Sequence, residues 1–196
     1  MVLLKKFVKK IASFKCLFVN GEKNNAFIHP CTAIKGYKKI YISKDVKIIA
    51  GNRIAIDAGI IILKENTLIN ANCNIFIKRG KLILGKNSYF NNNCTVITIG
   101  EINIGENVMI GPMCNLLAGK HNYKDNEVDY KFQGDTDGSI VIEDNVWIGA
   151  GSVILSGIRI AKGSIIGAGS VVTKSIGENE IWAGNPAKFI KKARVK

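Results

Sequence analysis

The 196-residue sequence predicts an all-β parallel solenoid, a coil with three short straight sides per turn, and three observations predict it. From residue 142 to 176 an aliphatic residue recurs every six positions, as Ile142, Ile148, Ile154, Ile160, Ile166 and Val172. Ile148 and Ile166 are each followed by Gly-Ala-Gly-Ser, small residues that let a chain turn a tight corner. The same rhythm runs earlier in interrupted form. An α-helix needs apolar spacing near 3.6 and a flat strand spacing of two, so a strict six suits neither. A side of six residues that points one aliphatic group at the axis does suit it, and three sides give a turn of about eighteen residues.

Taken in chain order, residues 1–20 have apolar positions Leu4, Phe7, Val8, Ile11, Phe14 and Phe18 between lysines, the pattern of an amphipathic basic helix. It is expected to cap the coil, to contact a second subunit, or to rest through residues 1–18 on an anionic membrane surface. The coil is assigned to residues 21–180. Its rhythm begins with Ile42, Ile48, Ile54 and Ile60 and continues less cleanly through Ile69, Ile75, Leu84, Phe90 and Val96. After a two-residue slip come Ile104, Ile110 and Leu116. Residues 119–139 are polar and without rhythm, so they read as a loop thrown out from a corner, and the coil resumes at Ile140. Residues 181–196 form a short basic tail.

The net charge of +13 is concentrated at the ends. Residues 1–50 hold eleven lysines against Glu22 and Asp45, and five basic residues follow Ala187, which leaves the body near neutral. A nucleic-acid surface would place its cations as a patch or stripe with aromatics, so no nucleic-acid partner is expected. Cys16, Cys31, Cys73, Cys94 and Cys114 are odd in number and never form a C-x-x-C pair, which argues against a disulfide framework or a zinc knuckle and fits a reducing cytoplasm. The apolar run at the start is broken by lysines, unlike a secretory signal, and no stretch is long enough to span a bilayer. The chain holds two histidines, His29 before the regular coil and His121 where the extruded loop begins.

Over residues 84–190 the runs NNNCTVI, IGENVMIGPMCNLLAGKHNY, IEDNVWIGAGSVILSGIRIAKGSIIGAGSVVTKSI and WAGNPAKFI resemble the hexapeptide-repeat acyltransferases, in their branch of maltose, galactoside and polysaccharide O-acetyltransferases. That resemblance implies a left-handed β-helix, a homotrimer, and acetyl-CoA lying along the coil edge between neighbouring subunits as co-substrate, with no metal. It implies further that His121 is the general base, that Asn93 binds the acceptor hydroxyl, and that the backbone amide of Ala150 stabilises the oxyanion. Ala168, Thr173, Lys174, Pro186 and Lys188 match positions along the coenzyme's path. An imidazole is also what the residues themselves offer as a base near neutral pH, and it needs an orienting partner, for which Asp125, Asp129 or a backbone carbonyl in the loop would serve.

The acceptor expected is a saccharide destined for a surface polysaccharide. An N-acetyltransferase acting on a nucleotide-linked amino sugar is the main alternative, since amine and hydroxyl acceptors share one donor site. Serine O-acetylation fits less well, because enzymes of that kind resemble a longer chain. A zinc lyase on a similar coil would need three histidines, which two cannot supply. A non-catalytic solenoid would need neither the loop nor its histidine.

Overall fold

The computed structural model describes residues 25–193, so the helix expected over residues 1–20 and its membrane contact lie outside the described residues. About seven turns of parallel β-coil make up the described residues. The first side stacks Phe27–Ile28, Lys47–Ile48, Leu68–Ile69, Tyr89–Phe90, Met109–Ile110, Trp147–Ile148, Ile165–Ile166 and Glu180–Ala183 in parallel register. The second and third sides share one ten-stranded sheet, because the strands Arg53–Leu63, Asn74–Leu84 and Thr95–Ile104 each run along both. No described helix is long and apolar enough to cross a membrane.

Every rung sends its aliphatic residue inward. Ile48, Ile69, Phe90, Ile110, Ile148 and Ile166 form one axial column, and each is at most 1% exposed. Removing such a side chain costs about 2–5 kcal/mol, because a one-residue-thick core cannot close around the gap. One core position differs from the expected rhythm. Ile60 is only partly buried and the axial place belongs to Ile61, since the strand Arg53–Leu63 carries extra residues around a corner and its inward alternation shifts. Turn length explains the interrupted rhythm as well. Lys47 pairs with Leu68 and Leu68 with Tyr89, a repeat of 21 residues, whereas Trp147 pairs with Ile165 at the expected 18.

The corners hold the coil together by two devices. Between the third and first sides, Asp45, Asn66, Asn87, Asn107, Asn145 and Asn179 take φ of 54–59°, a conformation Asn tolerates best after Gly. Asn66 donates to Asn87 and Asn87 to Asn107 at 3.0 and 3.1 Å, a side-chain ladder up the edge. Inside the corner between the first and second sides stand small residues that donate to carbonyls of the next turn. Cys94 Sγ donates to Gly111 at 3.2 Å, Cys114 Sγ to Gly149 at 3.2 Å, and Ser152 Oγ to Gly167 at 3.1 Å. Three of the cysteines are thus reduced, buried packing groups. The flanking Cys114 and Cys73 thiols, together with burial, push the Cys94 thiol up and keep it protonated.

At the end of the coil the chain reverses. Lys188–Lys192 pairs antiparallel with Glu180–Ala183, so residues placed in the basic tail extend the sheet of the first side. Glu180 fixes this hairpin by accepting from Trp182 Nε1 and Lys192 Nζ, both at 2.9 Å, and those contacts hold its carboxyl below the usual range.

Candidate functional site

The loop leaves the coil at Gly119 and returns at Gly138, both at the corner between the second and third sides. A side chain at Gly119 would meet Ile99 at 2.7 Å with φ of 107°, so the exit is built on glycine. Lys120–His121 then pairs antiparallel with Asp135–Thr136, which sets His121 opposite Asp135. The imidazole Nδ1 lies 2.5 Å from Asp135 Oδ1, leaving Nε2 as the free acceptor on a ring that is 83% exposed. Asp135 is itself nearly enclosed at 8% exposure and also pairs with Lys78. The Lys78 ammonium, aided by His121 and Arg79, holds its carboxyl below the usual carboxylate range. Beside it Arg79 Nε bonds Asp137 Oδ1 at 2.6 Å, so two consecutive cations on one turn of the coil grip both acids of the returning strand.

Within the loop Gln133 takes the place of a core. It accepts from the Asp125 amide at 3.0 Å and donates to the carbonyls of Asp125 and Val128 at 2.7 and 2.6 Å. Asn122 ties the two ends together through the Gln133 carbonyl and the Thr136 hydroxyl. A cavity of about 550 Å³ remains, lined by His121, Tyr123, Val128, Phe132, Gln133 and Thr136 among others.

The second candidate surface is the edge between the first and second sides. Asn93, Met113, Gly151 and Gly169 stack there in left-handed conformation, each preceded by the residue that turns the corner: Asn92, Pro112, Ala150 and Ala168. In the lower turns the corner amides are satisfied, Ala71 by Asn70 and Asn92 side chains and Asn92 by Asn91. Neither the Ala150 nor the Ala168 amide has an acceptor among the described residues, while the next amides, of Gly151 and Gly169, bond to Pro112 and Ala150. A Cβ added at Gly151 or Gly169 would meet nothing within 4 Å. The edge is therefore a trough of small residues with two open N–H groups, suited to an extended ligand carrying carbonyl or phosphate oxygens.

The expected site residues fall into two columns. Asn93, Ala150, Ala168 and Pro186 lie on or next to this edge, with Lys188 in the terminal hairpin beside Ala183. His121 leaves from the opposite end of the second side, where exposed Thr173 and Lys174 also sit just past Val171–Val172. At about 3.3 Å per residue, the six residues from Met113 to Gly119 separate the columns by roughly 20 Å. One protomer does not bring them together.

Residues 139–174 match the family model described as bacterial transferase hexapeptide (six repeats). Galactoside O-acetyltransferase of Lactococcus lactis is 38% identical over 99 residues, half of this chain and 46% of that protein. A galactoside acetyltransferase solved with coenzyme A superposes with a TM-score of 0.61 at 34% identity, covering 67% of this chain and 64% of the other. A hexapeptide-repeat acetyltransferase of Vibrio cholerae bound to acetyl-CoA gives 0.60 at 25%, with 69% and 72% covered. Residues 139–174 thus carry the hexapeptide repeats of that family, and the chain's coil is similar to those of these acetyltransferases. Its coil is left-handed, as the resemblance implied. It spans about half the length of the curated relative it matches.

For this hexapeptide-repeat chain the orienting group is not one of the two acids expected. The Asp125 carboxylate accepts from the Glu127 amide, and Asp129 begins a short 3-10 turn, while Asp135 meets the imidazole. The reason is the antiparallel pairing of the loop's two ends, which brings together residues fourteen apart in sequence. Lys78 and Arg79 carry no local signal at all. Only the stacking of turns places them beside Asp135 and Asp137. His29 accepts from the Cys31 amide in the first turn, away from both columns. Among the described residues no group of three or more His, Cys, Asp or Glu could hold a metal ion.

Proposed function

We propose that the chain is an acetyl-CoA-dependent O-acetyltransferase acting on a saccharide hydroxyl, with a site shared between neighbouring subunits of a homotrimer. The observation that carries this is the pairing of one device at each end of the second side: an imidazole held through Nδ1 by Asp135, and an edge of small residues with the Ala150 and Ala168 amides open. If the second side of each protomer faces a threefold axis, the edge of one copy adjoins the loop of the next, and the two columns join into one cleft.

In that cleft acetyl-CoA supplies the thioester. His121 Nε2 takes the proton from the acceptor hydroxyl as its oxygen attacks the thioester carbonyl. The Ala150 amide receives the oxyanion that develops, a donor worth about 3 kcal/mol in comparable sites. Collapse releases the coenzyme thiolate, which takes the proton back from the imidazolium. Asp135 fixes the ring's tautomer and direction throughout. Asn93 orients the acceptor hydroxyl from the edge. The exposure of Lys174 and Lys188 supports a role at the coenzyme's phosphates, with Thr173, Ala168 and Pro186 along the same path.

The likeness to galactoside O-acetyltransferase supports a saccharide acceptor, and the reading extends to surface polysaccharide synthesis on the cytoplasmic face of a membrane. Purified protein incubated with acetyl-CoA and a thiol reagent should release CoA with one or more glycosides from a panel that also holds nucleotide-linked amino sugars and amino acids. Release with an amine acceptor alone would replace the hydroxyl reading by N-acetylation, and a monomer in sedimentation with full activity would remove the shared cleft.

A further inference from the structure

Met113 occupies a position that its neighbours reserve for glycine or asparagine. Along the edge between the first and second sides the left-handed residues are Gly51, Asn72, Asn93, Met113, Gly151 and Gly169, and Met113 has φ of 60°. Pro112 before it presets the turn, but the second turn position favours glycine or asparagine because a Cβ there crowds the following carbonyl. The thioether is not buried in return. It is 57% exposed and belongs to no core cluster. A strained residue that gains no packing from its own fold points outward to something it meets.

Its place on the edge says what that is. Met113 stands one rung from Ala150, whose amide is open, and one rung from Asn93. Resting on the acetyl-transfer reading above, we propose that Met113 is the apolar wall between the thioester and the acceptor. It packs on the acetyl methyl and the C–H face of a sugar ring and keeps water off the carbonyl. Without it, water attacks the thioester in place of the acceptor hydroxyl, giving acetate and free CoA thiol.

Three measurements test this. Met113→Asn keeps the left-handed corner, so its melting temperature should rise by about 2–4 °C. Its acceptor-independent release of thiol from acetyl-CoA should rise at least fivefold while transfer to a glycoside falls. Met113→Leu, which keeps an apolar wall and the strain, should restore the wild-type ratio of transfer to hydrolysis without the gain in melting temperature. Under dilute peroxide, CoA should slow oxidation of Met113 at least fivefold and leave Met109, 41% exposed on the first side, unaffected. An unchanged ratio in Met113→Asn, or equal Met113 oxidation with and without CoA, overturns the proposal. A wild-type chain that neither binds CoA nor transfers acetyl overturns the transfer reading instead.

Discussion

The two halves of the coil solve the same problem differently. Below the loop, turns of 20–21 residues run their strands through the corner between the second and third sides, and that corner closes only because Gly59, Gly80, Gly100 and Gly138 stack on one another. A Cβ at Gly80 would lie 1.5 Å from the Gly100 carbonyl oxygen. Above the loop, turns of 18 residues change direction at Gly157, where an added Cβ meets nothing within 4 Å. The loop leaves at the junction, where the chain passes from one way of turning this corner to the other. Extra residues at a corner can be absorbed as bulged strand or expelled as a loop, and this chain does both along one edge.

The largest expected contrast tests that difference directly. Gly80→Ala should lose about 3 kcal/mol or fail to fold, from overpacking plus a left-handed alanine. Gly157→Ala should lose only about 1 kcal/mol, from the backbone conformation alone. Equal midpoints in urea would mean that the two halves are not built differently.

Next in size is the chemistry at the junction. His121→Ala should lower turnover about a hundredfold or more with CoA binding retained, as read by steady-state kinetics and calorimetry. Asp135→Asn should lower turnover roughly tenfold by releasing the ring, with little change in the acceptor KM. It also carries a pH signature. Because the folded-state pKa of Asp135 is depressed, its stabilisation is present above the unfolded value and disappears as pH falls through the folded one. Melting temperatures of Asp135→Asn and wild type should differ at pH 7 and converge under acid conditions. Divergence toward low pH would contradict the Lys78 contact.

The smallest effect sharpens the comparison of corners. Below the loop the inner corner next to the first side is filled by Cys73, Cys94 and Cys114, and above it by Ser152 and Ser170. Both residue types donate to a carbonyl of the next turn. Cys94→Ser should therefore shift stability by no more than about 1 kcal/mol, within a few degrees in a thermal melt. A large loss would show that the longer turns need sulfur's size.

By itself the sequence determined the coil, its axial isoleucines and the site of loop exit, because a six-residue period leaves few ways to bury one face and each glycine or asparagine corner is a local preference. The places of Asn93, Ala150 and Ala168 at corners of the coil and of His121 at the loop exit were legible from the same period, while the roles expected of them rest on the family resemblance. Only the tertiary structure decided the length of the early turns, the choice of Asp135 over Asp125 and Asp129, the grip of Lys78 and Arg79, and the separation of the site into two columns. Those depend on which rung stacks on which and on how the loop's ends pair. Such contacts join residues far apart in the chain, and no period records them.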